Sequence, residues 1–239
     1  MTVLTTLVVL VSVYAAFAVS ASAGLGGSLL MVPTLALFLG SKEGVALAAL
    51  LLASNNVMKI VAYRETLPFR KASVIVALIV FGAALGSSVL IRAPEIAVTI
   101  AIIVMFAASV LAEQLRVERL RAGFAPFLAF VSGASSGFSG TSGPLKGVAI
   151  RNLDLDRRHF VGAASLASFA GDATKTAIFA DAQLLGRTSV LIALAAVPLM
   201  ALGTWTGSTI NRKAGERTFA TLFWTVMAGY SVRLVILIA

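Results

Sequence analysis

Apolar residues form long continuous runs along this chain, separated by short polar or charged segments. Runs of about 18 residues or more can cross the hydrocarbon core of a bilayer as α-helices. A membrane β-barrel would instead alternate apolar and polar residues in segments of about ten. The pattern predicts an all-α polytopic membrane protein with segments at residues 3–20, 28–39, 44–63, 72–91, 95–112, 123–137, 141–150, 159–180, 188–210 and 219–238.

The first run has a second interpretation, because the tripeptide Ala-Ser-Ala at 21–23 resembles a signal-peptidase site. Residues 1–6 carry no Lys or Arg, however, and the run is longer than the apolar region of a typical signal peptide. We therefore expect a retained helix.

The order medium, short, long, long, long occurs twice, which indicates an internal duplication. The sequence GLGG at 24–27 matches GFSG at 137–140, and NVMK at 56–59 matches DATK at 172–175. The matched positions are 113 and 116 residues apart, so the duplication needs only small insertions.

The duplication predicts the domain organisation. A first transmembrane repeat covers 1–113, a charged linker covers 114–122, and a second repeat covers 123–239. Together they form one membrane domain. Each repeat has about five helical segments, one of which is a short or broken glycine-rich helix.

The chain is apolar and basic, with 12% charged residues and a formal net charge of +9. Soluble domains average about 25% charged residues. On a soluble protein this charge would suggest nucleic acid, but here the basic residues cluster in short loops between apolar runs. Such loops act as topology signals that face anionic lipid. We expect the lipid bilayer, and no nucleic acid, as a partner.

The basic residues also favour one topology. With five crossings per half, one side of the membrane holds Arg64, Arg70, Lys71, Arg116, Arg119, Arg121, Arg151, Arg157, Arg158, Arg212, Lys213 and Arg217, and the other holds Lys42, Arg92 and Arg187. Re-entrant short segments would leave no such bias. Because cytoplasmic loops carry the excess of Lys and Arg, we expect an inner (plasma) membrane protein with both termini outside the cytoplasm. Five crossings also make the second repeat inverted.

Composition argues against several kinds of chemistry. The chain has no cysteine and a single histidine, His159, so thiolate chemistry is excluded and neither a metal site nor a cofactor is expected. A serine protease needs a base within reach of its nucleophile. His159 begins its run and is far in sequence from a plausible serine partner, so we predict no enzyme. No feature of the sequence indicates an oligomeric state.

The glycine-rich stretches are the first candidate binding site. A helix start presents unpaired N–H groups and a partial positive charge, and glycine allows close approach of an anion. The residues predicted to open the two short helices and to bind substrate are Gly26, Gly27 and Ser28 in the first repeat, and Ser139, Gly140, Thr141 and Ser142 in the second. The alternative is that small residues only permit close helix packing, as Gly133 and Gly137 would.

Polar residues at matching positions of the two repeats extend this site. Lys59 and Lys175 lie within predicted spans, where a charge is costly and usually serves function. Both are also near the ends of their runs, so both could extend to the interface instead. Asn55 and Asn56 are the first-repeat counterparts around Asp172, and we include them as candidate substrate-binding residues.

Two further charged residues are candidates. Asp172 lies deeper in its run and forms an (i, i+3) pair with Lys175, so it is a candidate for carrying a coupling proton or for neutralising the lysine. Lys146 follows Gly143 and Pro144 by one turn. It would draw anions towards the site or reach lipid phosphate.

The paired sequences GLGGSLLMVPTLAL at 24–37 and SGFSGTSGPLKGVAI at 136–150 resemble the TauE/SafE sulfite exporter family, also described as transmembrane sulfite/sulfonate transporters. The resemblance implies two repeats and export of small sulfur-containing anions, such as sulfite, sulfoacetate or other organosulfonates, usually coupled to an ion gradient. The positions that match the motif are Gly24, Gly26, Gly27, Pro33, Gly137, Gly140, Gly143 and Pro144. Ser28 and Lys146 depart from the usual pattern.

These features favour a secondary transporter of a small anionic substrate that works by alternating access. Two alternatives remain at this point. One is a carrier or channel for another small anion such as a carboxylate, and the other is a structural membrane protein.

Overall fold

The computed structural model describes residues 3–23, 28–114, 124–142 and 145–213. These residues form α1 (Val3–Ala23), α2 (Ser28–Leu39), α3 (Ser41–Ala62), α4 (Phe69–Arg92), α5 (Glu95–Gln114), α6 (Ala125–Ser139), α7 (Leu145–Arg151), α8 (Arg157–Asp181) and α9 (Arg187–Lys213). A single 3₁₀ turn, Arg64–Thr66, separates α3 from α4. No strand occurs in the described residues, so the all-α prediction is confirmed for them.

Local sequence signals explain several of the helix ends. α4 ends at Arg92, two residues before Pro94, because the residue preceding a proline disfavours the helical conformation. α6 carries a proline in its first turn, where the missing N–H costs nothing. α8 begins beside Asp156, whose carboxylate accepts a hydrogen bond of 3.0 Å from the backbone N–H of His159.

Three helices of the described chain are long and apolar enough to cross a membrane, over Ser41–Val61, Phe69–Arg92 and Arg187–Thr206. Shorter apolar stretches occur in α1 (Val9–Ala18) and α5 (Glu95–Ser109). The predicted segment at 219–238, and the linker at 114–122 apart from Gln114, lie outside the described residues. The number of crossings and the position of the termini therefore stay predictions.

Two apolar clusters hold the helices together. The larger joins α1, α2, α3, α5 and α9, with one residue each from α4 and α8, and Val13, Leu35 and Leu47 lie in it. The smaller joins α4, α6, α7 and α8, and Ile79 and Ala129 lie in it. Each cluster thus combines helices from the two halves of the chain.

α4 and α6 pack with their backbones in direct contact. A Cβ atom added at Gly86 would overlap the carbonyl oxygen of Ala134, and one added at Gly133 or Gly137 would overlap a carbonyl of α4. Gly82 makes the corresponding contact one turn before Gly86. Small residues four apart on both helices permit this approach. The packing interpretation is therefore confirmed for Gly133 and Gly137.

The second short helix begins later than predicted. Ser139 is the last residue of α6, and its hydroxyl donates back to the carbonyl of Ser135 at 2.8 Å. Gly140 ends α6 in the left-handed conformation, with φ of 77°, and donates to the carbonyl of Ser136. Thr141 and Ser142 lie in the connection that follows, and α7 starts at Leu145. The prediction that residues 139–142 open a helix is wrong, because a left-handed glycine terminates α6 first.

We expect Gly86→Ala to destabilise the protein, because the new methyl group has to push α6 away from α4. Overpacking of this kind costs about 1–3 kcal/mol. The matched control is Gly147→Ala in α7, where an added Cβ would meet nothing within 4 Å. Thermal unfolding in detergent should show a lowered midpoint for Gly86→Ala alone. Equal midpoints for the two variants would contradict the packing described here.

Candidate functional site

A buried ion pair on α8 is the centre of the candidate site. Lys175 is 1% exposed, and its Nζ lies 2.6 Å from Oδ1 of Asp172, one turn earlier on the same helix. The same Nζ donates to the hydroxyl of Ser136 on α6 at 2.8 Å. Lys175 therefore does not extend to the interface, and that alternative is wrong for this lysine.

The carboxylate of Asp172 also joins the two halves of the chain. Its Oδ2 accepts a hydrogen bond of 2.8 Å from the side-chain amide of Asn56 on α3. Asn55, Asn56 and Asp172 are all buried, with 8%, 4% and 8% of their surface exposed. Residues 56 and 172 are 116 positions apart, which is the offset between the matched sequences NVMK and DATK.

Two more lysines belong to this cluster. Lys146 on α7 is partly buried and donates to the hydroxyl of Ser168 on α8 at 2.7 Å. Lys59 on α3 is exposed. Ser168 precedes Asp172 by one turn on α8, and Lys59 follows Asn56, the partner of Asp172, by three residues on α3. We call Lys59, Lys146, Lys175 and Asp172 the charged cluster.

A second group of predicted residues lies where the N-terminal end of α2 approaches the C-terminal end of α6. The hydroxyls of Ser28 and Thr141 are 3.4 Å apart, and these positions are separated by 113 residues, which is the offset between the two glycine-rich stretches. A Cβ atom added at Gly140 would lie 2.7 Å from a methyl group of Val32 on α2. The N-terminal part of α2 and the residues that end and follow α6 therefore lie close together.

The predicted residues thus fall into two groups, the charged cluster with its asparagines and this polar junction. Ser139, Thr141 and Ser142 are buried at the junction, with 5% or less of their surface exposed. Pro33 lies inside α2 and is buried, and Gly137 belongs to the α4–α6 contact. The remaining predicted positions lie outside the described residues: Gly24, Gly26, Gly27, Gly143 and Pro144.

Sequence reasoning missed two serines that bind the lysines. Ser168, Asp172 and Lys175 are spaced by four and three residues, which places them on one face of a helix, so this spacing was a usable signal for Ser168. Ser136 lies in the glycine-rich stretch, where its many neighbouring serines gave no reason to single it out.

Comparison with protein-family models identifies the family of this chain. The model described as "Sulfite exporter TauE/SafE" matches residues 8–234, nearly the whole chain. The chain belongs to the TauE/SafE sulfite exporter family. Searches of curated proteins and of solved structures found no match.

Membership of the TauE/SafE family makes the protein a membrane transporter of the sulfite-exporter type rather than an enzyme. An exporter of anions needs positive charge where its substrate binds. The charged cluster is the candidate for this positive charge, since Lys175 binds Asp172 and Lys146 binds Ser168 one turn earlier on α8.

Asp172→Asn should strongly destabilise the protein, because Lys175 would remain buried without a counter-ion. Removing one partner of a buried ion pair costs about 3–5 kcal/mol. The double variant Asp172→Asn/Lys175→Gln removes both charges and should recover most of this loss. Thermal unfolding in detergent measures the stability of the single and the double variant. Asp181→Asn, at the exposed end of α8, is the control. A double variant as unstable as the single one would show that the pair is not the cause.

Proposed function

We propose that this TauE/SafE protein exports sulfite and other small sulfur-containing anions, such as sulfoacetate or further organosulfonates, by alternating access coupled to an ion gradient. The observation that carries the proposal is the charged cluster. Lys175 is buried within a bundle of apolar helices, and Lys146 binds Ser168, one turn before Asp172 on the same helix. Lys59 follows Asn56, which binds Asp172, by three residues on α3.

The cost of these charges supports a role in transport. A lysine at the centre of a membrane helix costs roughly 2.5–3.5 kcal/mol on insertion scales, so such residues usually serve substrate or ion pathways. Among the described residues, Lys175 is the lysine that contacts Asp172, whereas Lys146 binds a neutral hydroxyl and keeps an uncompensated charge. An anion that binds among them would offset part of the cost.

The contacts between the two halves support an inverted-repeat architecture. Ser28 meets Thr141, and Asn56 meets Asp172, so residues at matching positions touch each other. Two residues that a two-fold axis relates can contact each other when both lie close to that axis. The helix packing shows the same relation, because Gly86 packs α4 against α6 while Gly203, 117 residues later, packs α9 against α1. Each half thus places its fourth helix against the first helix of the other half.

The matched lysines differ in a way that fits alternating access. Lys175 is buried and paired, whereas Lys59 is exposed. In a transporter built from two inverted repeats, the opposite-facing state arises when the repeats exchange conformations. Lys59 would then become buried and Lys175 would become exposed. Each lysine would serve the substrate on one side of the membrane.

Asp172 is suited to couple transport to protons. Its carboxylate now neutralises Lys175, so an anion that binds this lysine competes with it. The carboxylate that the anion displaces from Lys175 would then be the carrier of the coupling proton.

Purified protein in liposomes should transport sulfite, and Lys59→Gln and Lys175→Gln should each reduce the rate about tenfold or more. Lys71→Gln on the exposed start of α4 makes the same change in net charge and should keep the wild-type rate. The double variant Asp172→Asn/Lys175→Gln controls for folding and should also be inactive. Wild-type transport by Lys59→Gln would contradict alternation, whereas transport of acetate in place of sulfite would favour a carboxylate carrier.

A second measurement tests the coupling. In wild-type liposomes, the rate of sulfite movement should depend on an imposed proton gradient. Asp172→Asn/Lys175→Gln is too severe for this assay, so Asp172→Glu and Asp172→Asn are compared in the fraction of protein that remains folded. Glu should retain the dependence on the gradient, and Asn should lose it. An Asn variant with normal rate and normal gradient dependence would remove Asp172 from the mechanism.

A further inference from the structure

A cavity of about 580 Å³ lies apart from the charged cluster, where the two halves of the chain meet. One wall is the start of α4 with the two residues before it. The other wall is the connection between α7 and α8 with the first turn of α8. No residue of the charged cluster or of the polar junction lines it. Its volume is typical of cavities that bind small molecules, so it is a candidate site that the proposed transport does not use.

The cavity lies at the level of the lipid headgroups. Phe69–Arg92 is long and apolar enough to cross a membrane, so its first residues lie where the hydrocarbon core meets the headgroups. Phe69 is 59% exposed and lines the cavity together with Leu67 and Leu155. Apolar side chains at this depth favour a ligand that has acyl chains over one that is entirely water-soluble.

The charged groups of the cavity are separated by wall. Basic side chains line it from α4, and Arg70 is the first of them. Acidic side chains line it from the α7–α8 connection, at Asp154 and Asp156. A ligand that reaches across the cavity therefore meets positive charge on one side and negative charge on the other. A simple anion or a simple cation would be repelled by one of the two walls.

Arg70 and Asp154 are the groups left to bind a ligand. Asp156 is engaged by His159, whose Nδ1 lies 2.7 Å from Oδ2 and whose backbone N–H donates to Oδ1 at 3.0 Å. Arg70 and Asp154 are exposed, and their side chains make no hydrogen bond or ion pair with any residue that the structure describes. A guanidinium group binds phosphate through two parallel hydrogen bonds, and a carboxylate accepts hydrogen bonds from a primary ammonium group.

We propose that this cavity binds a phospholipid whose headgroup carries both a phosphate and a primary ammonium group, as phosphatidylethanolamine does. Arg70 binds the phosphate, Asp154 accepts from the ammonium group, and the apolar side chains contact the start of the acyl chains. The site is separate from the charged cluster, so it goes beyond the proposed function and does not depend on it. Because the two walls belong to different halves of the chain, the bound lipid links the start of α4 to the start of α8.

Native mass spectrometry of the detergent-purified protein measures the binding of phosphatidylethanolamine, phosphatidylglycerol and phosphatidylcholine with identical acyl chains. Wild-type protein should bind phosphatidylethanolamine about threefold or more tightly than the other two, which is the size of a partly exposed ion pair. Phosphatidylglycerol lacks the ammonium group, and the choline group of phosphatidylcholine has no N–H to donate.

Two variants test the two walls. Arg70→Gln should weaken the binding of all three lipids, because each has a phosphate. Asp154→Asn should abolish the preference for phosphatidylethanolamine, and asparagine suits this position because it also adopts the left-handed conformation that Asp154 has, with φ of 49°. The matched controls are Arg64→Gln and Glu65→Gln, which make the same charge changes in the 3₁₀ turn before α4 without lining the cavity. Both should bind lipids as the wild-type protein does.

Several outcomes would overturn the proposal. They are equal binding of the three lipids by wild-type protein, unchanged binding by Arg70→Gln, and a preference that persists in Asp154→Asn. Competition by glycerophosphoethanolamine, which has the headgroup without acyl chains, at the same concentration as the lipid would show a site for a soluble ligand instead. Thermal unfolding gives a second readout, since phosphatidylethanolamine should raise the midpoint of wild-type protein but not of Asp154→Asn. If that variant does not fold, Asp154→Gly removes the same carboxylate and also tolerates a positive φ.

Discussion

The bond network around Asp172 is the interaction on which the site depends. One carboxylate oxygen holds the buried Lys175, and the other accepts from Asn56 on the opposite half of the chain. Both oxygens are therefore occupied by donors from different helices. A carboxylate used in this way fixes the distance between α3 and α8 as well as the orientation of the lysine. Because the group is buried, losing either partner would expose a polar atom to an apolar surrounding.

Close packing of α4 against α6 holds the residues around Asp172 and Lys175 in position. The glycines of α4 and α6 bring the two backbones into contact, and α6 carries Ser136, the second partner of Lys175. A helix held at its backbone cannot slide easily, so the serine stays within hydrogen-bond distance of the ammonium group. Packing in a membrane relies on such small-residue contacts, since burial of apolar surface provides little drive between helices. The apolar α4–α6 contact thus supports the charged cluster.

The sequence predicted most of the helices in the described chain, because apolar periodicity and length are strong signals in membrane helices. α2 was predicted with the bounds that the structure has, and Asp172 with Lys175 was recognised as a pair from spacing alone. The start of α7 was wrong, since glycine favours both helix starts and left-handed helix ends, and sequence does not distinguish these for Gly140. The difference in burial between Lys59 and Lys175 could not be predicted from the sequence, because it depends on which neighbouring helix covers each lysine.

The two buried or partly buried lysines on α7 and α8 have a consequence for the proposed alternating access. Lys146 binds the neutral hydroxyl of Ser168, whereas the carboxylate of Asp172 is occupied by Lys175 and Asn56. Two like charges about 8 Å apart repel by about 2 kcal/mol at an effective dielectric constant of 20, and the repulsion grows as water is excluded. An anion bound between Lys146 and Lys175 would offset this repulsion. In the proposed mechanism, loading would then favour closure through the charge of the substrate itself, without any separate signal.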